Sequence, residues 1–415
     1  EPKNPKAFLI LILILAAGMN GTFVALDLIL FFIFFEVVLL PMYFMIGIWG
    51  DKAEKRIPVF NRVVEMRLYA SIKFFVFTLF GSAFMLLGFL ALYFNSDPST
   101  FSIPELIEQA PMLGALPFAG WIFAGLFLGF AVKVPMWPLH TWLPDAHTAA
   151  PTVGSVLLAA ILLKLGSYGF IRIAIPILTE QARAWAPVIA ILAVIGIIYG
   201  SLACLAQTDM KRLIAFSSVG HMGFVMLGIF ALTDQGLSGA IFIMISHGLV
   251  TGALFLLIGM IYERRHTRMI SEYGGLGKIM PIYAGIFLFM AFASVGLPGL
   301  SGFVGEFGVL LGSYLTLPVL AIIAGLGVIL AAVYMLWAYE RVFTGPVTNP
   351  KNEGLSDLGF REIAILVPLV VIVVGIGVYP EPVFERVDPC LLYTSDAADD
   401  LYTVLVSGGG GGVWW

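Results

Sequence analysis

The sequence predicts an all-α polytopic membrane protein. The chain has 415 residues, of which 60% are hydrophobic and only 12% are charged. Its apolar residues occur in blocks of about twenty, the length that crosses the hydrocarbon core of a bilayer as a helix. We identify about eleven candidate transmembrane helices in these blocks. They cover residues 7–22, 26–49, 71–94, 117–134, 151–176, 186–206, 213–232, 237–261, 281–316, 318–340 and 362–380.

Composition and missing motifs exclude several classes of function. The two cysteines, Cys204 and Cys390, are far apart and form no CxxC pair, which argues against a disulfide framework, a cysteine zinc site or an iron–sulfur cluster. The stretch "GGLGK" lacks the upstream glycine of a phosphate-binding loop, because position 272 is glutamate. We therefore expect the chain to hold no metal, nucleotide or other cofactor, to carry no catalytic redox residue, and to bind no nucleic acid.

The placement of Lys and Arg predicts the orientation in the membrane. If the spans alternate in direction, sixteen of these residues fall on one side and only two, Arg183 and Arg386, on the other. The remaining four lie within spans. Because short cytoplasmic loops are enriched in Lys and Arg, the basic side should be cytoplasmic. The segment "DPSTFSIPELIEQAP" (97–111) should then face the outside.

Two spans are interrupted, and their spacing indicates an internal repeat. The fourth is broken near 134–138 by "VPMWP", and the ninth near 296–302 by "GLPG". They are five spans apart, so two five-helix units would lie inverted relative to each other, a pattern typical of transport proteins. We predict a first repeat over 1–176, a second over 186–343 and a final span over 362–387. The segment 388–415 resembles translated read-through sequence and is expected to be an artefactual tail.

Charged and titratable residues lie inside the apolar spans. A charge at the bilayer centre costs about 2.5–3.5 kcal/mol on insertion scales, so such residues usually face the bundle interior and have a function. The main candidates for proton transfer are Glu36, Lys133, Lys164, His221, His247 and Glu306. The secondary candidates are Lys73, within the third span, and His140, Asp145 and His147, which follow the first break.

These residue types suit the movement of protons. Burial lowers the proton affinity of a lysine and a nearby carboxylate restores it, so a moving carboxylate can switch whether the lysine holds a proton. Histidine titrates near neutral pH and relays through either nitrogen. A proline break frees backbone groups and leaves room for water.

Each residue also has a structural interpretation. Glu36 and Lys133 could form a static ion pair, and the two histidines of the later spans could only join helices by hydrogen bonds. Glu306 could cap the helix after the second break. Lys73 could extend its amine to the membrane surface. His140, Asp145 and His147 could belong to a solvated loop.

Four stretches resemble the antiporter-like proton-pumping subunits of respiratory complex I. They are "FFEVVLLPMYFMIGIWG", "VKVPMWPLHTWLPDAHTAAPTVGSVLLAAILLKLGSYGFIR", "DMKRLIAFSSVGHMGF" and "GLPGLSGFVGEF". The resemblance spans residues 7–382. The glutamate of "GEF" fits the subunit M (chain 4) branch, because neighbouring branches usually carry lysine there. Family members normally have fourteen spans, so three further spans are expected before Glu1.

The resemblance implies a function and a role for each candidate. Glu36 and Lys133 match the glutamate–lysine pair of the family, and Lys164 matches the lysine of the central channel. His221 and His247 match histidines of the polar axis, and Glu306 matches its terminal acidic residue.

The implied protein is a proton-translocating subunit of NADH–quinone oxidoreductase in the bacterial inner membrane. It would work among other membrane-arm subunits in the lipid bilayer, while partner subunits hold NADH, FMN, iron–sulfur clusters and quinone. The alternative is a subunit of a multi-subunit sodium/proton antiporter, which shares the break and the lysines.

Overall fold

A computed structural model of the chain describes residues 4–57 and 62–388, and it confirms the all-α membrane fold. The elements, in chain order, are α1 (Pro5–Val24), α2 (Leu28–Val37), α3 (Leu39–Trp49), β1 (Glu54–Ile57), β2 (Arg62–Glu65), α4 (Met66–Asn95), α5 (Ile103–Glu108), α6 (Ala110–Gly114), α7 (Ala119–Lys133), α8 (Trp142–Ala149), α9 (Thr152–Leu157), α10 (Leu163–Gly169), α11 (Ile175–Ile177), α12 (Thr179–Leu205), α13 (Met210–Phe230), α14 (Asp234–Arg265), α15 (Leu276–Ile279), α16 (Pro281–Val295), α17 (Ser301–Thr316), α18 (Pro318–Phe343) and α19 (Phe360–Val378). Two π-helical turns, Leu158–Leu162 and Phe170–Ala174, join α9, α10 and α11 into one continuous segment.

Nine helical segments of the described residues are long and apolar enough to cross a membrane. Two of these segments are composite, because α2 continues into α3 and α9 continues through to α11. Two shorter apolar helices, α7 and α16, each lead into a second helix after an irregular stretch. The inverted repeat and its domain boundaries stay predictions.

Several boundaries differ from those expected from hydropathy. The third span begins at Met66 rather than at residue 71, because the helix continues through Arg67 at its start. The connection before it pairs β1 with β2 in an antiparallel hairpin, which helical periodicity could not indicate. The segment 97–111, predicted to face the outside, contains the short helix α5 and the start of α6. Of the expected tail, residues 389–415 lie outside the described residues.

Helix α13 forms the centre of the molecule. The most apolar stretch of α13 is fully buried, whereas that of α19 is only 11% buried. It packs against α12, α14, α8 and α17, so protein surrounds it on all sides. A helix in that position can carry polar side chains without exposing them to lipid. The buried polar side chains of α13 include Ser217, Ser218 and His221.

Glycines set the close packing of α14 and α17. A Cβ atom added at Gly239 would lie 2.6 Å from the backbone nitrogen of Val309, and one added at Gly305 would lie 2.6 Å from Ile243 Cγ1. Small residues allow membrane helices to approach closely where no hydrophobic force drives them together. This contact fixes the position of Glu306, the residue after Gly305 in α17, along the length of α14.

The first helix break is stabilised by local hydrogen bonds. Helix α7 ends at Lys133, and Pro135 cannot donate the next helical hydrogen bond. The indole nitrogen of Trp142 donates to the Val132 carbonyl at 2.9 Å, and the Met136 backbone nitrogen donates to Ala131. Backbone groups freed by the break therefore have protein partners, as burial in a membrane requires.

Charged residues join the basic loops at one face of the molecule. The Arg268 guanidinium contacts Asp51 at 2.5 Å and Asp209 at 3.2 Å, which links the loop after α3 with the starts of α13 and of the segment after α14. Although burial alone would lower it, the two carboxylates raise the pKa of Arg268 above its usual value. At the opposite face, the Leu26 and Phe101 carbonyls accept bonds from Ile103 and Leu28. The loops predicted to be cytoplasmic are therefore neighbours.

We predict that loops 50–70 and 262–280 are cytoplasmic and that 95–116 is outside. Single cysteines at the exposed positions Lys278 and Ser99 report on the two faces. After Cys204 and Cys390 are replaced by alanine, an impermeant thiol reagent should label Lys278→Cys in inside-out vesicles and Ser99→Cys in right-side-out vesicles. Labelling of Ser99→Cys only from the cytoplasmic side would contradict this orientation.

Candidate functional site

The Lys164 amine is buried at the start of α10 and has two partners. Its side chain is 5% exposed, and Nζ donates to the Ala159 carbonyl at 2.5 Å. Ala159 lies in the first π-helical turn, where the wider backbone presents a carbonyl to a side chain five residues later. The second partner is His247 Nδ1, 2.7 Å away on α14. A residue without an evident partner in the sequence thus has two in the fold.

A second buried pair, His221 with Glu306, joins α13 to α17. His221 Nδ1 lies 3.2 Å from Glu306 Oε1, and His221 Nε2 lies 3.2 Å from the Ser294 hydroxyl. All three side chains are buried. Glu306 makes no capping bond at the start of α17, so the capping interpretation of this residue is wrong. Ser294 was not among the sequence candidates, and only its position just before "GLPG" could have indicated it.

The Lys164–His247 pair and the His221–Glu306 pair meet at a small cavity. The rings of His221 and His247 are 5.5 Å apart between centroids, and both nitrogens of His221 face other partners, Glu306 and Ser294. His247 Nε2 has no protein partner, and a cavity of about 20 Å³ is lined by both histidines, Ser294 and Glu306. A cavity of that volume has room for one water molecule. Lys164, His247, His221 and Glu306 therefore form a row with a single gap.

The second break shapes the Glu306 end of this row. Helix α16 ends at Val295, and Gly296 follows in a left-handed conformation with φ of 80°. A Cβ atom at Gly296 would lie 2.5 Å from Glu306 Oε2. Glycine is needed here for two separate reasons: the backbone angle and the space taken by the carboxylate.

Glu36 and Lys133 are neighbours without a direct ion pair. The Lys133 amine is 3.4 Å from the Phe35 carbonyl and 4.3 Å from the centre of the Phe35 ring. It acts electrostatically on Glu36, yet within residues 4–57 and 62–388 no contact of 4.0 Å or less joins the two charges. Glu36 Oε1 is buried without a hydrogen-bond partner. The static ion pair considered from the sequence is therefore absent in this conformation.

Local structure explains the position of this pair. Helix α2 ends at Val37, and Pro41 in α3 cannot donate a hydrogen bond to the Val37 carbonyl. The resulting irregular turn follows Glu36 directly. On the other side, a Cβ atom at Gly166 would lie 2.6 Å from the Phe130 carbonyl, so α10 packs closely on the last turn of α7. Lys133 and Lys164 therefore lie on helices in contact.

The secondary candidates divide into two groups. Asp145 on α8 binds the amines of Lys55 at 2.6 Å and Lys73 at 2.9 Å, with Arg212 3.7 Å away. Asp145 is 5% exposed, so it is not part of a solvated loop. Lys73 is held by this carboxylate and by the Thr141 carbonyl at 2.8 Å rather than extending to the surface. This cluster ties α8 to α4, the hairpin and α13.

The two histidines after the first break are also buried. His140 packs edge-on against Tyr199, and its Nδ1 has no protein partner. His147 stacks on Phe255 with ring centroids 4.7 Å apart, and neither of its nitrogens has a protein partner. The charges of Lys164 and Lys211 both act on His147. Of these two histidines, His147 is the one that borders the central row.

A comparison with known proteins identifies the family. The family described as NADH:quinone oxidoreductase/Mrp antiporter, transmembrane, matches residues 25–332. The chain belongs to this family. It is 48% identical to NADH-quinone oxidoreductase subunit M of Rhodobacter capsulatus, over 94% of this chain and 75% of the relative. It is 44% identical to NADH-ubiquinone oxidoreductase chain 4 of Marchantia polymorpha, over 92% of this chain and 73% of the relative.

Solved structures of the family share the fold. A chain of respiratory complex I from Thermus thermophilus superposes with a TM-score of 0.85 at 34% identity, covering 94% of this chain and 79% of that one. A chain of the Mrp complex from Dietzia sp. DQ12-45-1b gives a TM-score of 0.79 at 23% identity, covering 94% and 77%. The second likeness is one of fold alone. The resemblance of the sequence to complex I subunits is confirmed.

We predict that Glu36→Gln strongly lowers proton translocation, whereas Glu36→Asp keeps part of it. Glutamine preserves the shape but removes the charge that acts on Lys133. Aspartate keeps the charge, and no direct contact with Lys133 depends on the length of the side chain. The measurement is NADH-driven proton uptake by vesicles with equal amounts of assembled complex. Wild-type uptake by Glu36→Gln would disprove a role for the charge.

A second pair of variants tests the Glu306 end. Gly296→Ala and Gly299→Ala both place alanine at positive φ, 80° and 90°, and each should lose about 1–2 kcal/mol of stability. Only the first displaces a carboxylate, because a Cβ atom at Gly299 meets nothing within 4 Å. Proton uptake should therefore fall further in Gly296→Ala than in Gly299→Ala at similar thermal stability. Equal uptake by the two would show that the position of Glu306 is not critical.

Proposed function

We propose that this chain translocates protons as a membrane subunit of NADH–quinone oxidoreductase, through its row of buried titratable residues. The observation that carries the proposal is the row from Lys164 through His247 and His221 to Glu306, with hydrogen-bond distances of 2.7 and 3.2 Å at its two ends. The chain is a multi-pass membrane protein, and its relatives named subunit M support the bacterial inner membrane as its location.

The proposed transfer runs from the cytoplasmic side to the outer side. A proton taken up by a neutral Lys164 amine passes to His247 and across the cavity to His221. Glu306 then receives it and releases it beyond the second break. Each transfer joins groups that can gain and lose a proton, and water in the cavity beside the unpartnered His247 Nε2 supplies the step between the two histidines.

Glu36 and Lys133 would control when this happens. Two opposite unit charges brought to about 4 Å gain ~4 kcal/mol at an effective dielectric constant near 20, which changes an equilibrium constant by about a thousandfold. When Glu36 approaches Lys133, the positive charge next to Lys164 is neutralised and Lys164 holds its proton more firmly. When they separate, the proton is repelled along the row. Movement at the irregular turn after Glu36 would switch between these states.

The electron transfer would occur elsewhere. This subunit would perform no redox chemistry, and partner subunits would hold NADH, FMN, the iron–sulfur clusters and quinone. Energy would reach the chain as conformational and charge shifts from neighbouring membrane-arm subunits in the bilayer. The exposed apolar faces of α18 and α19 are available for such neighbours or for lipid.

A sodium/proton antiporter subunit is the second candidate, and the chemistry of the row argues against it. A dehydrated alkali cation needs several oxygen ligands, such as backbone carbonyls. The row instead presents an amine and two imidazoles before it reaches the carboxylate of Glu306. An ammonium repels a sodium ion and imidazole nitrogens are poor ligands for a hard alkali cation, whereas both groups can pass a proton. Proton uptake that persists after sodium is replaced by choline would separate the two functions.

The test of the proposal is Lys164, varied to arginine and to alanine. Arginine keeps the charge but does not release its proton at relevant pH, whereas alanine removes both charge and proton. A carrier role predicts that both variants lose NADH-driven proton uptake in vesicles with normally assembled complex. A purely structural role predicts that arginine works and alanine fails through instability. Full translocation by Lys164→Arg would refute the proposal.

A further inference from the structure

A vestibule opens on the face that carries the basic loops. Its volume is about 360 Å³, and its walls come from both halves of the sequence: the loop after α3, the junction of α8 with α9, the start of α13 and the end of α14. Asp51, Thr152 and Arg268 are among its lining residues. A cavity of this size holds several water molecules, and its charged lining keeps it hydrated. The central row described above does not include it.

Lys211 lies between this vestibule and the membrane interior. It lines the vestibule, yet the residue is only 4% exposed. Its Nζ donates to the Ala150 carbonyl at 2.5 Å, at the junction of α8 with α9. Within the described residues, no carboxylate lies within 4.0 Å of this amine, and the two carboxylates that act on it electrostatically, Asp51 and Asp209, both bind Arg268. An ammonium has three donors, and one bond to protein leaves two for water in the vestibule.

The next titratable group inward is His147. It lies one turn before Ala150 on α8 and is fully buried, and both of its nitrogens are without a protein partner. The Lys211 amine is bonded to Ala150 on the far side of this turn, both lysines act electrostatically on His147, and His147 in turn acts on His247. Lys211, His147 and Lys164 therefore connect the vestibule with the start of the row.

We propose that this vestibule is the cytoplasmic mouth of the proton path and that Lys211 takes protons from its water and passes them inward to Lys164. An N–H bond of the Lys211 ammonium breaks and one forms at His147, which transfers its proton to the neutral Lys164 amine. The Lys211 lone pair then accepts a proton from vestibule water. One positive charge moves inward in each cycle, and no oxidant or reductant is needed. This inference rests on the proposed function.

One experiment blocks the vestibule. Thr152→Cys places a thiol in its wall, and Lys278→Cys places one on the same face but outside it. With Cys204 and Cys390 replaced, inverted vesicles containing the full complex are treated with a bulky impermeant thiol reagent, and a mass shift confirms labelling. Labelled Thr152→Cys should lose NADH-driven proton uptake relative to its unlabelled sample, and labelled Lys278→Cys should not. A Thr152→Cys thiol that does not react, or that reacts with full uptake retained, would overturn the proposal.

A second experiment varies Lys211 itself. Lys211→Arg keeps the charge and a donor for Ala150 but does not give up a proton, whereas Lys211→Ala removes both. Proton transfer predicts that both variants lose uptake at normal amounts of assembled complex. Full uptake by Lys211→Arg would show that the residue acts only through its charge or packing.

Lys164→Ala, measured in parallel, distinguishes a failure of the proposed mouth from a failure of the proposed function. If Lys164→Ala loses uptake while blocked Thr152→Cys and Lys211→Arg keep it, the proton path stands and this mouth is wrong. If Lys164→Ala keeps full uptake, the proposed function itself fails.

Discussion

The hydrogen bonds of the Lys164 amine are the constraint on which the rest of the site depends. A buried amine needs acceptors that replace water, and here they are the Ala159 carbonyl and a nitrogen of His247. The carbonyl is present because the helix contains a π-helical turn, and the nitrogen because α14 packs against that turn. An imidazole can accept this bond only while that nitrogen is unprotonated. In the proposed mechanism, the hydrogen bond between Lys164 and His247 therefore has two states: one holds the lysine, and the other follows transfer of its proton to the imidazole.

Irregular backbone occurs wherever the site needs it. The break after Lys133, the turn after Glu36, the π-helical turn before Lys164 and the left-handed Gly296 beside Glu306 each interrupt a helix next to a residue that we propose for proton transfer. Regular helices would satisfy every backbone group internally and leave none for side chains or water. Close glycine contacts between α14 and α17 and between α10 and α7 hold these irregular points in register.

The sequence predicted the fold class and the residues of the row because both depend on strong local signals. Long apolar blocks indicate spans, and a lysine or glutamate within one is too costly to occur without a function. Contacts between distant elements were not predictable. The partner of Lys164 lies 83 positions away, and Asp145 binds cations from three elements. Lys211, one of the sixteen cations that the sequence places on the cytoplasmic side, is buried. The expected Glu36–Lys133 contact depends on helix rotation, which composition does not encode.

The central claim is that the row is continuous across the gap between His247 and His221. A cryo-EM map of the assembled complex, at a resolution that shows ordered water, tests it most directly. The account predicts a water molecule in the cavity of about 20 Å³, within hydrogen-bond distance of His247 Nε2 and of a polar atom on the His221 side. A dry cavity, with the two rings still 5.5 Å apart and no polar atom between them, would contradict it.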